Sequence, residues 1–154
     1  MPNTYTQIHI HLVFAVKYRN ALINSKWKDD LYKYITSIVQ NKTHKLLVIN
    51  GMPDHVHLLI GLRPTQALSD LVREIKASSS KWINDNKLVK HKFEWQSGFG
   101  AFSYGKSDLA KIIAYIEKQE EHHRKKSFTE EYKDFLIAFE VDFEDQYIFQ
   151  ELLD

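Results

Sequence analysis

The chain has no cysteine among its 154 residues. That excludes disulfides, thiolate metal sites and cysteine nucleophiles, and it fits a cytoplasmic protein. No apolar run approaches the roughly 20 residues of a membrane span, so no membrane partner is expected. The start, Met1-Pro2-Asn3-Thr4, has no basic segment and no long apolar stretch behind it, so no secretory leader is expected. Positive charge is scarce in one region. Residues 127–154 hold nine acidic residues and a single lysine, whereas residues 1–126 hold 20 basic and 11 acidic ones. The formal net charge of +1 therefore conceals a basic body and an acidic tail. Such asymmetry is a hint of polyanion binding, although a solvated acidic helix beside an ordinary basic domain gives the same numbers.

Apolar residues make up 44% of the chain and charged residues 27%, which is ordinary for a globular domain. The length fits one domain, with residues 1–126 as its body and the acidic tail 127–154 as part of it. Residues Thr4 to Val16 alternate, with Ile8, Ile10, Leu12, Phe14 and Val16 on one side, as a long strand does. Asn24-Ser25 offers a helix cap before Trp27, Leu31, Tyr34, Ile35, Ile38 and Val39 at helical spacing. A strand from Lys45 to Asn50, a turn at Gly51 to Asp54 and a strand from His55 to Leu62 read as a hairpin. After Pro64 a helix carries Leu68, Leu71, Val72, Ile75, Trp82 and Ile83. A polar loop follows, then a strand from Phe93 interrupted by Gly98 and Gly100, then a helix capped by Ser107-Asp108. The tail is expected to be helical from Glu130 to about Phe139. Strand, helix, strand, strand, helix, strand is the order of a ferredoxin-like α+β sandwich. Two helices would cover one face of an antiparallel sheet, and the last helix would be free to pack near the other.

The stretch richest in chemistry is Met52-Pro53-Asp54-His55-Val56-His57-Leu58-Leu59-Ile60. On a strand His55 and His57 leave the same face, and two imidazoles side by side make half of a metal site. Eight histidines in 154 positions give about 0.4 such pairs by chance, and His9-Ile10-His11 is a second pair, so the spacing alone is weak. Context adds to it. Tyr115 and Gln119, at i and i+4, share a face of the last helix, which places a hydroxyl that can serve as a nucleophile one turn from an amide oxygen. A core tyrosine and a solvated glutamine would show the same spacing. His9 and His11 share the open face with His55 and His57, where a structural role outweighs ligation. His122-His123 reads as a solvated helix end within reach of phosphate. Lys17, Arg19, Arg73, Lys76 and Lys81 are candidate phosphate contacts. Phe99, Phe102 and Tyr104 could stack on bases but fit core packing better.

Five ordered pieces, His11–Arg19, Met52–Ile60, Lys76–Trp82, Trp95–Ser103 and Tyr115–Gln119, resemble the single-tyrosine transposases of the insertion-sequence 200/605 class. These belong to the His-hydrophobic-His endonucleases. The resemblance spans about Thr4 to Arg124. It implies that His55, His57 and Gln119 hold a divalent metal, Mg²⁺ or Mn²⁺, and that Tyr115 attacks single-stranded DNA to leave a 5′-phosphotyrosine and a free 3′-OH. The DNA would carry a hairpin at the element's ends. The implied assembly is a homodimer, in which Tyr115 of one chain can complete the metal site of the other; whether it acts within or across chains stays open. The family often has Tyr at Phe99 and Val at Tyr104, which makes neither position a nucleophile. The alternatives are a domesticated nickase using the same site, or a non-catalytic single-stranded nucleic-acid-binding module of the same fold.

Overall fold

A computed structural model describes residues 3–142. Strands β1 (His9–Ala15), β2 (Lys45–Met52), β3 (His55–Gly61) and β4 (Gly100–Tyr104) form one antiparallel sheet in the order β2-β3-β1-β4. Helices α1 (Lys28–Asn41) and α2 (Leu68–Asp85) make the two crossovers. This is the ferredoxin-like α+β topology that the element order predicts.

The alternation of β1 and β3 divides the core. Leu12, Phe14, Val56, Leu58 and Ile60 join Leu31, Ile35, Val39, Leu71, Val72, Ile75 and Ile83 of α1 and α2 in the larger core. The opposite face is covered as well, by α3 (Leu109–Glu117), α4 (Gln119–His123) and α5 (Phe128–Ala138). There Leu59 packs with Ile112 and Ile116, and Val13, Ala15 and Phe102 pack with Phe128 and Leu136.

Several boundaries differ from the sequence expectation. The first strand starts at His9 rather than Thr4, and Tyr5 is exposed. Strand β2 runs on to Met52, so the hairpin turn is only Pro53-Asp54. The stretch around Trp95 makes one isolated bridge to Val16 instead of a strand. The last helix is broken at Lys118, where Asn50 Nδ2 of β2 donates to the carbonyls of Ile116 and Glu117 at 3.0 and 3.2 Å. Those bonds satisfy carbonyls at a helix end and let α4 set off anew. The helix expected in the tail is α5, begun by Ser127, whose Oγ accepts from the Glu130 amide. The tail beyond residue 142 lies outside the described residues.

Candidate functional site

His55 and His57 stand on β3, register-paired with Ala15 and Val13 of β1, and both are fully buried. Each has its outer ring nitrogen engaged. Asp54 Oδ1 accepts from His55 Nδ1 at 2.7 Å, and His11 Nε2 lies 2.8 Å from His57 Nδ1. In a neutral His55 ring Nδ1 keeps its proton and donates it to the Asp54 carboxylate, which leaves the Nε2 lone pair facing inward. A second partner that fixes tautomer and ring orientation in this way is typical of metal-ligating histidine. His11 lies against the outer side of His57, and its own Nδ1 is a buried atom without a hydrogen-bond partner among the described residues. The flat face of Phe128 stacks on His55 at 3.7 Å and 2°.

Gln119 is also fully buried, and its Oε1 lies 3.2 Å from His55 Nε2. Sequence reasoning missed two further groups. Glu131 of α5, 3% exposed, places Oε1 3.1 Å from His57 Nε2, 3.7 Å from His55 Nε2 and 3.3 Å from His123 Nε2. His123 Nε2 is in turn 3.1 Å from Gln119 Oε1. His123 is therefore no solvated helix end, because α4 turns it inward. His122 stacks on the ring of Tyr115. A signal for Glu131 did exist. Phe128, Tyr132, Phe135, Leu136 and Phe139 recur at helical spacing, and Glu131 falls inside that apolar stripe.

One ligand atom from each of His55, His57, His123 and Glu131 lies within 4.8 Å of the others. Donors about 2.1 Å from one ion lie roughly 3–4 Å apart, and the distances of 3.1–3.7 Å from Glu131 Oε1 to the three imidazoles fall in that range, so the group could hold a divalent metal. Tyr115 donates its hydroxyl to Glu131 Oε2, and Gln119 Nε2 donates to the same oxygen at 3.2 Å. Burial and the Glu131 charge hold the Tyr115 phenol well above its ordinary range. Burial alone would raise the Glu131 carboxyl, but the bonds from His123, His57 and Tyr115 outweigh it and hold the group well below the usual range. Burial pushes His57 down to about 4, against the pull of Glu131. Burial also opposes the charged form of His123, yet Glu131 leaves it raised on balance. A cavity of about 430 Å³, lined by Tyr115, His122, Lys125, Lys126, Glu131 and Phe135 among others, opens beside the tyrosine.

The basic candidates divide into two groups. Arg73, Lys76 and Lys81 line a groove of about 600 Å³ between α2 and the segment Lys92–Phe99. Within it the Lys76 ammonium donates to the carbonyls of Gln96 and Gly98, and burial pushes it down to about 8. Trp95 donates its indole N–H to Ser79 at 2.9 Å, so two of the quoted sequence pieces meet here. Arg73 pairs with Asp70 and Lys81 with Asp85 along α2. Lys17 and Arg19 lie elsewhere: Lys17 pairs with Glu94, and Arg19 donates to Thr129 of α5 at 2.6 Å. Phe102 is buried in the core under α5, Tyr104 is half-buried, and Phe99 lines the groove. No helix among the described residues is long and apolar enough to cross a membrane.

Residues 4–119 match the family model described as "Transposase IS200 like". The chain is 30% identical over 118 residues to the ISDra2 transposase TnpA of Deinococcus radiodurans, which covers 73% of this chain and 84% of that one. It is 26% identical over 119 residues to the transposase for insertion sequence element IS200 of Salmonella typhimurium, covering 74% and 78%. A crystal structure ascribed to a Deinococcus radiodurans transposase superposes with a TM-score of 0.62 at 25% identity, over 76% of this chain and 94% of that one. A REP-associated tyrosine transposase bound to a REP hairpin shares the fold, with a TM-score of 0.57 at 17% identity over 75% and 68%. The chain belongs to the IS200-like transposase family.

Proposed function

We propose that this transposase cuts and rejoins single-stranded DNA through a covalent tyrosine link. The observation that carries the reading is the meeting of Tyr115, Gln119, His55 and His57 at one buried cluster. His55, His57 and Gln119 would hold a divalent ion, Mg²⁺ or Mn²⁺. When bound, such an ion supplies Lewis-acid polarisation of the scissile phosphodiester and stabilises its developing charge. Tyr115 is the nucleophile. Its oxygen bonds to phosphorus, the bond from phosphorus to the 3′ oxygen breaks, and that oxygen leaves as a protonated 3′-OH. The 5′-phosphotyrosine keeps the bond energy, so rejoining needs no nucleotide cofactor. The cavity beside Tyr115 gives the phosphate a way in.

Arg73, Lys76 and Lys81 in the groove along α2, with Lys17 and Arg19, are assigned to phosphate contacts. The DNA partner is a single strand with a hairpin at the element's ends, and the structural neighbour carrying a hairpin supports this reading. Residues 1–126 form the catalytic body, with the acidic tail part of the same domain. A cytoplasmic homodimer supplies two sites for two DNA ends.

The test is a denaturing gel after incubation with labelled single-stranded DNA carrying the element's ends, and Mn²⁺. Wild type forms a covalent protein–DNA band. Tyr115→Phe, which loses one oxygen, binds the strand but forms no adduct. An adduct that persists and maps to Tyr104 overturns the assignment of the nucleophile. Retention of DNA by wild type without cleavage points instead to a binding module.

A further inference from the structure

We propose that the metal site has two more ligands, His123 and Glu131, and that this set makes it a site for a transition ion such as Mn²⁺ in preference to Mg²⁺. The inference deepens the reading above and rests on its assignment of His55 and His57. Both added residues lie beyond the span 4–119 shared with the family model. Glu131 is brought by α5, which three features hold in place. Phe128 stacks on His55 and Leu136 is buried beneath the helix; Thr129 accepts from Arg19; and Tyr132 lies so close to Gly100 that a β-carbon there would meet its hydroxyl at 2.7 Å.

The donors converge in the way a coordination shell requires. Oε1 of Glu131 lies between 3.1 and 3.7 Å from the Nε2 atoms of all three histidines. Gln119 Oε1 is 3.2 and 3.1 Å from two of them. A buried carboxylate amid imidazoles is costly to desolvate and needs compensation, which hydrogen-bond donors or an ion can supply. Three imidazoles select against Mg²⁺, which prefers oxygen donors and retains several waters, whereas Mn²⁺ and later ions accept nitrogen readily. The carboxylate also lowers the net charge of the loaded site by one relative to three neutral ligands. Its second oxygen holds the Tyr115 hydroxyl, so one side chain would link ion and tyrosine.

The experiment uses the full-length chain stripped of metal and titrated with Mn²⁺ and with Mg²⁺ by calorimetry. Pulsed electron paramagnetic resonance of the Mn²⁺ complex then counts coordinated imidazole nitrogens. Wild type is expected to bind one Mn²⁺ per chain with three imidazoles, at least tenfold more tightly than Mg²⁺. His123→Gln should leave two imidazoles. Glu131→Gln, close in shape to the original, should weaken Mn²⁺ at least tenfold, which is about 1.4 kcal/mol. If Glu131→Gln does not fold, the imidazole count of wild type against His123→Gln decides. Two imidazoles in wild type and undiminished Mn²⁺ affinity in both variants overturn the proposal. In that case loss of Mn²⁺ by His57→Ala still upholds the metal site of the proposed function. Undiminished binding by His57→Ala defeats both.

Discussion

His57 is the residue on which burial acts most directly. Its ring is fully buried and pushed down to about 4, and its neighbour His11 is also held well below its ordinary value, first by burial and then by His57. Unfolded, both rings would titrate near 6.5. Between about pH 6.5 and 4 the unfolded chain therefore binds more protons at these two positions, so stability must fall as pH falls. His123 runs the other way, because its folded value is raised and its contribution is present in acid and lost above that value. Two groups act against one. For His57 alone the linkage is worth up to about 3 kcal/mol. The metal-free protein should thus show a lower urea midpoint at pH 5 than at pH 7.5, and His57→Gln should flatten the difference. A midpoint that holds or rises at pH 5 contradicts the account.

At the scale of elements, the hairpin of β2 and β3 is the scaffold of the site, and Gly51 is its tightest point. A β-carbon on Gly51 would lie 2.2 Å from the backbone oxygen of His55 and 2.9 Å from the α-carbon of Val56. Neither backbone atom can swing aside as a side-chain tip can. Gly51→Ala should therefore cost about 1–3 kcal/mol, read from thermal or urea melts, and should disturb the setting of His55. An unchanged midpoint would show that the hairpin has room to shift.

The same hairpin was legible in the sequence because a period of two is rigid: once Val56, Leu58 and Ile60 face the core, His55 and His57 have to face away. That Tyr115 and Gln119 point the same way follows from their helical spacing, and both reach Glu131 Oε2 although the helix breaks at Lys118 between them. Glu131 and His123 were harder to see. The tail's net charge averages over all sides of a helix, while the deciding fact is one carboxylate set among Phe128, Tyr132 and Phe135. Asn50 binds the last carbonyls of α3 just ahead of α4, a long-range contact that no local pattern announces.

At the scale of the whole molecule the question is whose tyrosine serves which site. Excising and joining an element requires two ends to be cut and held together, so a dimer is the simplest catalyst. Within the single chain Tyr115 lies on its own histidines: its hydroxyl reaches Glu131, which touches His57, and its ring centroid is 6.2 Å from that of His57. Asn50 holds the end of α3 to β2, the strand paired with the one that carries the two histidines. The arrangement leads to a definite result when two inactive variants are mixed under conditions that let subunits exchange. His57→Ala chains lack a ligand and Tyr115→Phe chains lack the nucleophile. If each site is built from one chain, every site in the mixture is defective and cleavage stays absent, while wild type put through the same exchange remains active. Recovered cleavage would mean that Tyr115 crosses to the partner's site, so that a mixed dimer holds one intact composite centre. Light scattering of the wild type with and without DNA completes the test, because a strict monomer in both states removes the dimer on which the question depends.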